Sequence, residues 1–135
     1  MSKNYLIDYN FGIESENNII HALQTHFNDD SIIKLNKCHT FDFKGNNKYI
    51  ELKTRRNNYL KYPTTLIGLN KFKEASTLDE DVYFCFKFTD GLYLYKYDSD
   101  YKLNIKFNHC SRQDRGHKEI NDYVFLPIEL LIKID

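Results

Sequence analysis

The chain has 135 residues, of which 41% are hydrophobic and 16% aromatic, and its 19 basic and 19 acidic side chains give a formal net charge of zero. This composition predicts one globular domain over residues 1–135, and it excludes a disordered chain and a protein drawn onto nucleic acid by a global positive field. Three cysteines at irregular spacing do not suit a disulfide framework, and the lack of a signal-peptide core or of a membrane-spanning apolar run predicts a soluble, intracellular protein.

The predicted elements alternate between helices and short strands. In chain order they are a helix over residues 12–27, strands over 31–36, 40–44 and 49–55, a helix over 64–76, a hairpin of strands over 81–88 and 91–98, a strand over 103–110, a polar loop over 111–121, and a last strand followed by a short helix near Pro127. This order predicts an α/β (α+β) domain, in which helices flank a mixed β-sheet and extra antiparallel strands follow at the C-terminal end.

The second and third strands form a predicted hairpin with its turn at Asn46 and Asn47. Antiparallel pairing around that turn sets Asp42 opposite Glu51, and it sets Phe43 opposite Ile50 and Phe41 opposite Leu52. Because side chains alternate between the two faces of a strand, one face is apolar and the other carries Asp42, Glu51 and Lys53.

Two facing carboxylates repel each other unless a cation lies between them. Oxygen ligands of this kind suit Mg²⁺ or Mn²⁺, and an ammonium group beside them, such as that of Lys53, can position an attacking water or stabilise charge on a phosphate. The alternative interpretation is an ordinary amphipathic edge hairpin with a Lys-Glu pair on its surface.

Glu16 lies in the apolar stripe of the first predicted helix, whereas Glu14 falls on the solvated face. A carboxylate in such a stripe needs a partner or a metal ion, so Glu16 is a candidate for the same site. It could equally be a first-turn glutamate that the helix dipole favours and that reaches solvent.

Basic residues follow the hairpin, and tyrosines are interleaved with them. Arg55, Arg56 and, on the second helix, Lys71 are candidates for phosphate contacts, and tyrosines in this stretch could stack on bases. Arg112 and Arg115 in the later polar loop are further candidates. A solvated basic loop is the alternative for both stretches.

The spacing of these residues resembles that of a known family. Asp42, eight further residues and then Glu51-Leu52-Lys53 resemble the D-x(n)-(D/E)-x-K signature of the PD-(D/E)XK nucleases. The segment IELKTRR followed by YPTTLIGLNKFKEA is similar to small phage- and virus-type members, and the resemblance covers residues 12–88. Phe41 stands where the signature has proline, although that proline is often missing.

The resemblance implies a restriction-endonuclease-like core and an Mg²⁺- or Mn²⁺-dependent nuclease acting on nucleic acid, most simply DNA. It implies that Asp42, Glu51 and the Leu52 carbonyl ligate the metal, that Glu16 is an additional ligand, and that Lys53 assists the attacking water. Two alternatives stay open: a catalytically silent module of the same fold that acts in a replication or recombination complex, and an RNA endonuclease. His39 supports the RNA alternative, since its position resembles the histidine of cap-snatching endonucleases. The aromatic strands over 81–98 could be core or a homodimer face.

Overall fold

The computed structural model describes residues 16–100, 106–112 and 119–135, and it describes side chains over 16–100 and 123–135. In chain order the elements are α1 (residues 16–27), β1 (Ile33–Lys34), β2 (Phe43–Gly45), β3 (Lys48–Thr54), β4 (Thr64–Gly68), α2 (Leu69–Ser76), β5 (Asp81–Phe88), β6 (Gly91–Lys96), β7 (Lys106–Arg112), β8 (Glu119–Pro127), a 3₁₀ turn (Ile128–Leu130) and β9 (Ile132–Lys133). Among these described elements, neither helix is long and apolar enough to span a membrane.

The strands form two sheets. The larger sheet has six strands in the order β1-β2-β3-β5-β6-β9, and the smaller one has three strands in the order β4-β8-β7. Strands β3 and β5 run parallel, and every other pair in the two sheets is antiparallel. The predicted mixed sheet with helices and additional antiparallel strands is therefore confirmed.

Two apolar cores lie on opposite faces of the six-stranded sheet. The α1 core consists of Ile19, Leu23, Ile32, Phe43, Ile50, Cys85, Leu92 and Leu94. The α2 core consists of Phe41, Ile67, Phe72, Ala75, Val82, Phe84, Phe86, Phe88, Tyr93, Tyr95, Val124, Leu126 and Leu131. Alternate residues of β5 and β6 point into different cores, as the period of two along a strand requires. Helix α1 thus covers one face, and α2 with the smaller sheet covers the other.

The hairpin of β2 and β3 has the predicted register. Phe43 pairs with Ile50 and Gly45 with Lys48, so the turn lies at Asn46 and Asn47. Asn47 has a φ of 54°, a left-handed conformation that asparagine tolerates better than most residues.

Asp29, just after α1, ties this turn to the helix. Its buried carboxylate accepts hydrogen bonds from the backbone N–H of Asn46 at 2.9 Å and from the N–H and hydroxyl of Ser31 at 3.0 and 2.5 Å. Lys48 Nζ lies 2.8 Å from the same carboxylate. These contacts hold the pKa of Asp29 well below its usual range, with the Lys48 contact as the largest cause.

The predicted polar loop over 111–121 is too long, since β7 extends to Arg112 and β8 begins at Glu119. Two further sequence predictions about local structure, both near the hairpin, are wrong. Residues 64–68 form strand β4 rather than the first turns of a helix, because Thr65 and Ile67 alternate into the interior and the strand pairs with β8. Helix α2 consequently begins at Leu69. Phe41 joins the α2 core, whereas Phe43 joins the α1 core, because β2 begins only at Phe43 and the chain is not yet extended at Phe41.

The aromatic side chains of β5 and β6 are core residues of this chain. Phe84 and Phe86 are fully buried, and Tyr93 and Tyr95 are 7% and 8% exposed. Their dense spacing in the sequence is thus explained by packing against α2 and the smaller sheet. A homodimer stays a prediction.

Candidate active site

The centre of the candidate site is Glu51, in the middle of β3. Its side chain is only 7% exposed. Glu51 lies next to Phe84 of β5 in the parallel register, and its neighbour Ile50 points into the α1 core on the other face. Glu51 therefore belongs to the face covered by α2, where burial of a charged group requires compensation.

Asp42 immediately precedes β2 and is held beside Glu51 by backbone contacts. Its N–H donates to the Ile50 carbonyl at 3.1 Å, and its carbonyl accepts from the Leu35 N–H at 2.7 Å. Its carboxylate oxygen Oδ2 accepts from the Leu52 N–H at 2.8 Å. The two residues predicted to face each other across the hairpin are thus brought together.

Two ammonium groups lie against the Glu51 carboxylate. Lys53 Nζ is 3.8 Å from Oε1, and Lys71 Nζ is 3.3 Å from Oε2. Lys71 also donates a hydrogen bond to the Thr40 carbonyl. Despite this ion pair, Glu51 Oε2 is buried without a hydrogen-bond partner of good geometry among the described residues. It is an oxygen oriented into the site with unused capacity to accept.

The surroundings raise the pKa of Glu51 to about 7. Burial is the main cause because it penalises the charged form, and the negative charge of Asp42 adds to it. The positive charges of Lys71 and Lys53 act in the opposite direction without cancelling these effects. A raised pKa of this kind, caused by burial and by a specific charge partner, is typical of functional sites.

The residues present fit a divalent cation. Asp42 and Glu51 offer carboxylate oxygens, among them Glu51 Oε2, which accepts no hydrogen bond of good geometry from the described residues. The Leu52 carbonyl leaves the strand on the same side as its N–H, which points to Asp42. Within the described part of the chain, no cluster of three or more His, Cys, Asp or Glu residues exists, so a metal here would have two carboxylates, a carbonyl and water as ligands, a set that Mg²⁺ accepts.

Glu16 is not brought to this pair. Its carboxylate forms an ion pair with Lys34 at 2.6 Å, and its side chain is 41% exposed. Helix α1 packs on the face of the sheet opposite to Glu51. The charge partner that the sequence analysis expects for the Glu16 carboxylate is therefore Lys34.

The predicted nucleic-acid contacts have different environments. Arg55 donates from Nε to the Thr65 hydroxyl at 3.2 Å, and its guanidinium also donates to the Leu66 carbonyl, so it links the end of β3 to β4. Arg56 is exposed. Arg112 ends β7, where the side chain is not described, and Arg115 lies outside the described residues.

His39 lies near the candidate active site, where it contacts Phe41 and Tyr49. Its Nδ1 accepts the Phe41 N–H at 3.1 Å, and its ring stacks on Tyr49 with centroids 5.5 Å apart. Both contacts position the loop that leads into β2, which is a structural use of the residue.

Lys71 is the residue whose place the sequence did not reveal. The sequence predicts Lys71 as a phosphate contact in the middle of a helix over residues 64–76, with no indication that it contacts Glu51. With α2 beginning at Leu69, Lys71 lies in the first turn and reaches Glu51. Only a prediction that began α2 at Leu69 would have placed Lys71 in its first turn, close to Glu51.

A family model described as "Phage putative PDDEXK endonuclease" matches residues 10–134 of the chain. Neither the search of curated proteins nor the search of solved structures returned a significant match. The family match spans nearly the whole sequence and includes the hairpin with Asp42, Glu51 and Lys53. The chain therefore belongs to this family of phage PD-(D/E)XK endonucleases, and its mixed α/β architecture is consistent with a restriction-endonuclease-like fold.

Proposed function

We propose that the protein is a metal-dependent nuclease that hydrolyses phosphodiester bonds in DNA. The observation that carries the proposal is the buried carboxylate of Glu51 on β3, which lies beside Asp42 and two lysines. A purely structural role would not favour a buried glutamate beside a second carboxylate, because burying a charged group and bringing like charges together both cost stability.

Each residue has a role in this proposal. Asp42, Glu51 and the Leu52 carbonyl would hold Mg²⁺ or Mn²⁺. A divalent ion supplies Lewis acidity, which favours deprotonation of water and offsets the charge that develops on the phosphate. Lys53 orients the attacking water by hydrogen bonding, since its ammonium lies at the rim of the site, 34% exposed. Lys71 supplies a second positive charge, which lies deeper in the site than that of Lys53.

Basic side chains around the metal site would bind other phosphates of the DNA strand that is cleaved. Arg56 is the described candidate, and Arg112 and Arg115 are proposed on the sequence alone. Arg55 contributes indirectly, because its contacts to Thr65 and Leu66 hold the segment that carries Arg56. Glu16 is omitted from the metal ligands because of its pairing with Lys34.

The test is cleavage of plasmid and single-stranded DNA with Mg²⁺, with Mn²⁺ and with a chelator. Asp42→Asn and Lys53→Ala should each lower the rate by about a hundredfold or more, since each removes a group that acts on the reacting atoms. Asp30→Asn and Lys73→Ala are matched controls, because both residues are exposed. Equal rates in all five proteins, or cleavage that survives the chelator, would refute the proposal.

The same assay separates the alternatives. RNA of the same sequence is offered beside DNA, and preferential cleavage of RNA would replace DNA as the substrate. A protein that binds Mn²⁺ and DNA without cleaving either nucleic acid would be the catalytically silent module of a replication or recombination complex.

A further inference from the structure

The segment between β3 and β4, residues 56–63, is a surface loop whose two ends are held together. Arg55 closes its base, since its N–H donates to the Lys87 carbonyl at 2.8 Å and its side chain reaches Thr65 and Leu66. The Thr89 N–H donates to the Asn57 carbonyl at 3.1 Å, and the Ile128 N–H donates to the Pro63 carbonyl at 3.1 Å. We call this segment the 56–63 loop.

Tyr59 anchors the middle of the 56–63 loop. Its ring stacks on Tyr93 with centroids 4.1 Å apart, and its hydroxyl donates to the Ile128 carbonyl at 2.6 Å. Its N–H donates to Asp90 at 2.9 Å. Of the two tyrosines in this stretch, Tyr59 is thus a packing residue.

The residues on either side of Lys61 point outward instead. Leu60 is 80% exposed, more than any other large apolar side chain of the described residues, and Tyr62 is 53% exposed. A single exposed apolar residue needs no explanation. Two of them on an anchored loop, with Leu60 in a cleft beside Pro63 and Pro127 and Tyr62 in an adjoining cleft, form a patch that indicates a binding site.

Two clefts flank this patch. One, of about 470 Å³, is lined by Leu60, Pro63, Pro127 and Ile128 among others. The second, of about 200 Å³, is lined by Tyr62, Asn57 and Thr64 among others. Both clefts share Tyr59, so their walls are apolar or aromatic with a few hydrogen-bonding groups at the edge, which suits the faces of nucleobases.

The charge beside the clefts favours a polyanion over a protein segment. Arg56 and Lys61 are exposed cations on the same loop, and Lys61 Nζ lies 5.7 Å from the Tyr62 ring centroid. Basic groups interleaved with an exposed aromatic ring are the usual combination for single-stranded nucleic acid. Glu129 is the acidic residue of the larger cleft, and it would repel a phosphate at that edge, so we expect the backbone to follow the Arg56 and Lys61 side.

The 56–63 loop lies within reach of a strand that occupies the candidate site. Glu51 lies on β3 and Arg55 follows the end of that strand. The two residues are four positions apart, which corresponds to roughly 13 Å along an extended chain. The 56–63 loop follows directly after Arg55, so a strand held at Glu51 would have nucleotides near the start of the loop.

We infer that the 56–63 loop binds unpaired nucleotides, with Tyr62 stacking on a base, Leu60 making apolar contact with a neighbouring base, and Arg56 and Lys61 holding phosphates, so that the preferred substrate is DNA with a single-stranded segment. This inference rests on the proposed function for its substrate, and it deepens that function by naming the substrate class. Duplex DNA keeps its bases stacked on one another, so it cannot offer their faces to the loop.

The test measures binding rather than cleavage. Fluorescence anisotropy compares a labelled oligothymidylate with a duplex of equal length, in the Asp42→Asn background so that neither probe is cut. Combined Leu60→Ala and Tyr62→Ala should weaken binding of the single strand by about tenfold or more, because the variant loses one aromatic stack and one apolar contact with a base, while duplex binding changes little. Tyr62→Phe keeps the ring and should bind like its parent.

Ile132→Ala is the matched control, since Ile132 is 66% exposed on β9. Unchanged affinity for the single strand, an equal loss for both probes, or the same loss in Ile132→Ala would overturn the inference. A change in oligomeric state on size-exclusion chromatography with unaltered DNA affinity would also overturn it, because the patch would then dock a second copy. Since anisotropy needs no turnover, failure here is distinct from a failure of the nuclease proposal.

Discussion

Glu51 combines two properties that conflict in an ordinary interior. It is buried, which favours the neutral acid, and it is surrounded by two ammonium groups, which favour the carboxylate. Its pKa of about 7 shows that burial and the charge of Asp42 outweigh the lysines. Near neutral pH, both protonation states of Glu51 are therefore populated in the metal-free protein.

The stability of the metal-free protein should depend on this titration. The pKa of Glu51 rises from 4.5 in the unfolded chain to about 7 in the folded one. Below the lower value both states are protonated, and between the two values only the unfolded chain loses its proton. The free energy of unfolding should therefore fall as the pH rises through this window, by roughly 3 kcal/mol in total.

Urea unfolding in a chelator at about pH 5 and about pH 8 measures this loss. Glu51→Gln, which stays neutral, should show a much smaller difference between the two pH values. If wild type and Glu51→Gln lose the same stability, then Glu51 does not titrate in the window.

Lys71 and Lys53 should tune metal binding in two opposite ways. Each lysine lowers the pKa of Glu51, so its removal should let protons compete better with Mn²⁺ at low pH. At high pH the same removal takes away a repelling charge and should strengthen metal binding. The effect of Lys71→Ala should exceed that of Lys53→Ala, because Lys71 is nearer to Glu51 and less exposed.

The measurement is the Mn²⁺-induced rise in Tm as a function of pH. Lys71→Ala should move the midpoint of this curve to higher pH. It should also increase the Mn²⁺-induced rise in Tm at high pH. Lys73→Ala, two residues along α2 and exposed, is the control that should follow wild type. A uniform loss of the Tm rise at every pH would mean that Lys71 supports the fold and not the charge balance.

At the scale of elements, the hairpin was predictable and the segment after it was not. The turn composition at Gly45, Asn46 and Asn47 fixes the register, and the register places Asp42 and Glu51. Short-range rules suffice there because the pairing strands are adjacent in the chain. The sequence could not show that Asp29 holds this turn, since the contact joins residues 17 apart.

The sequence predicts a helix where strand β4 lies, because the pairing that forms β4 is non-local. Residues 64–68 match a helix by composition, yet they pair with β8, about 60 residues later in the chain. Tertiary pairing of this kind overrides local propensity. The consequence for the site was large, since the start of α2 determines that Lys71 reaches Glu51.

Asp29→Ala should destabilise the hairpin more than a typical surface change. It would leave the Asn46 N–H and the Lys48 ammonium without their buried partner. Since the pKa of Asp29 is lowered, its stabilisation is complete above its unfolded value of 3.8 and is lost as the pH falls through the folded one. Thermal unfolding near neutral pH should give a clear fall in Tm, and the wild type should approach the variant in acid.

Asp30→Ala is the neighbouring control, because Asp30 is exposed. An equal change in Tm for both variants would mean that the contacts of Asp29 add nothing. Hydrogen exchange of the Asn46 N–H gives a second, local measure that should accelerate only in Asp29→Ala.

At the scale of the whole molecule, the α2 core joins the two sheets. Val82, Phe84 and Phe86 come from the large sheet, and Val124 and Leu126 come from β8 of the small one. Helix α2 lies beside both, and it carries Phe72 and, next to it, Lys71. The geometry of the site thus depends on packing between sheets that share no backbone pairing among the described strands.

Phe72→Ala should therefore cost about 3–5 kcal/mol and act on both sheets at once. Phe72 is fully buried and stacks on Phe84, with centroids 4.9 Å apart. Far-ultraviolet circular dichroism and tyrosine fluorescence should report one common urea transition at a lower midpoint, because a shared core makes unfolding cooperative. Leu60→Ala, at an exposed site, should change stability by less than about 0.5 kcal/mol. Separate transitions for the two probes would show that the sheets fold independently, and Lys71 would then have no fixed position against Glu51.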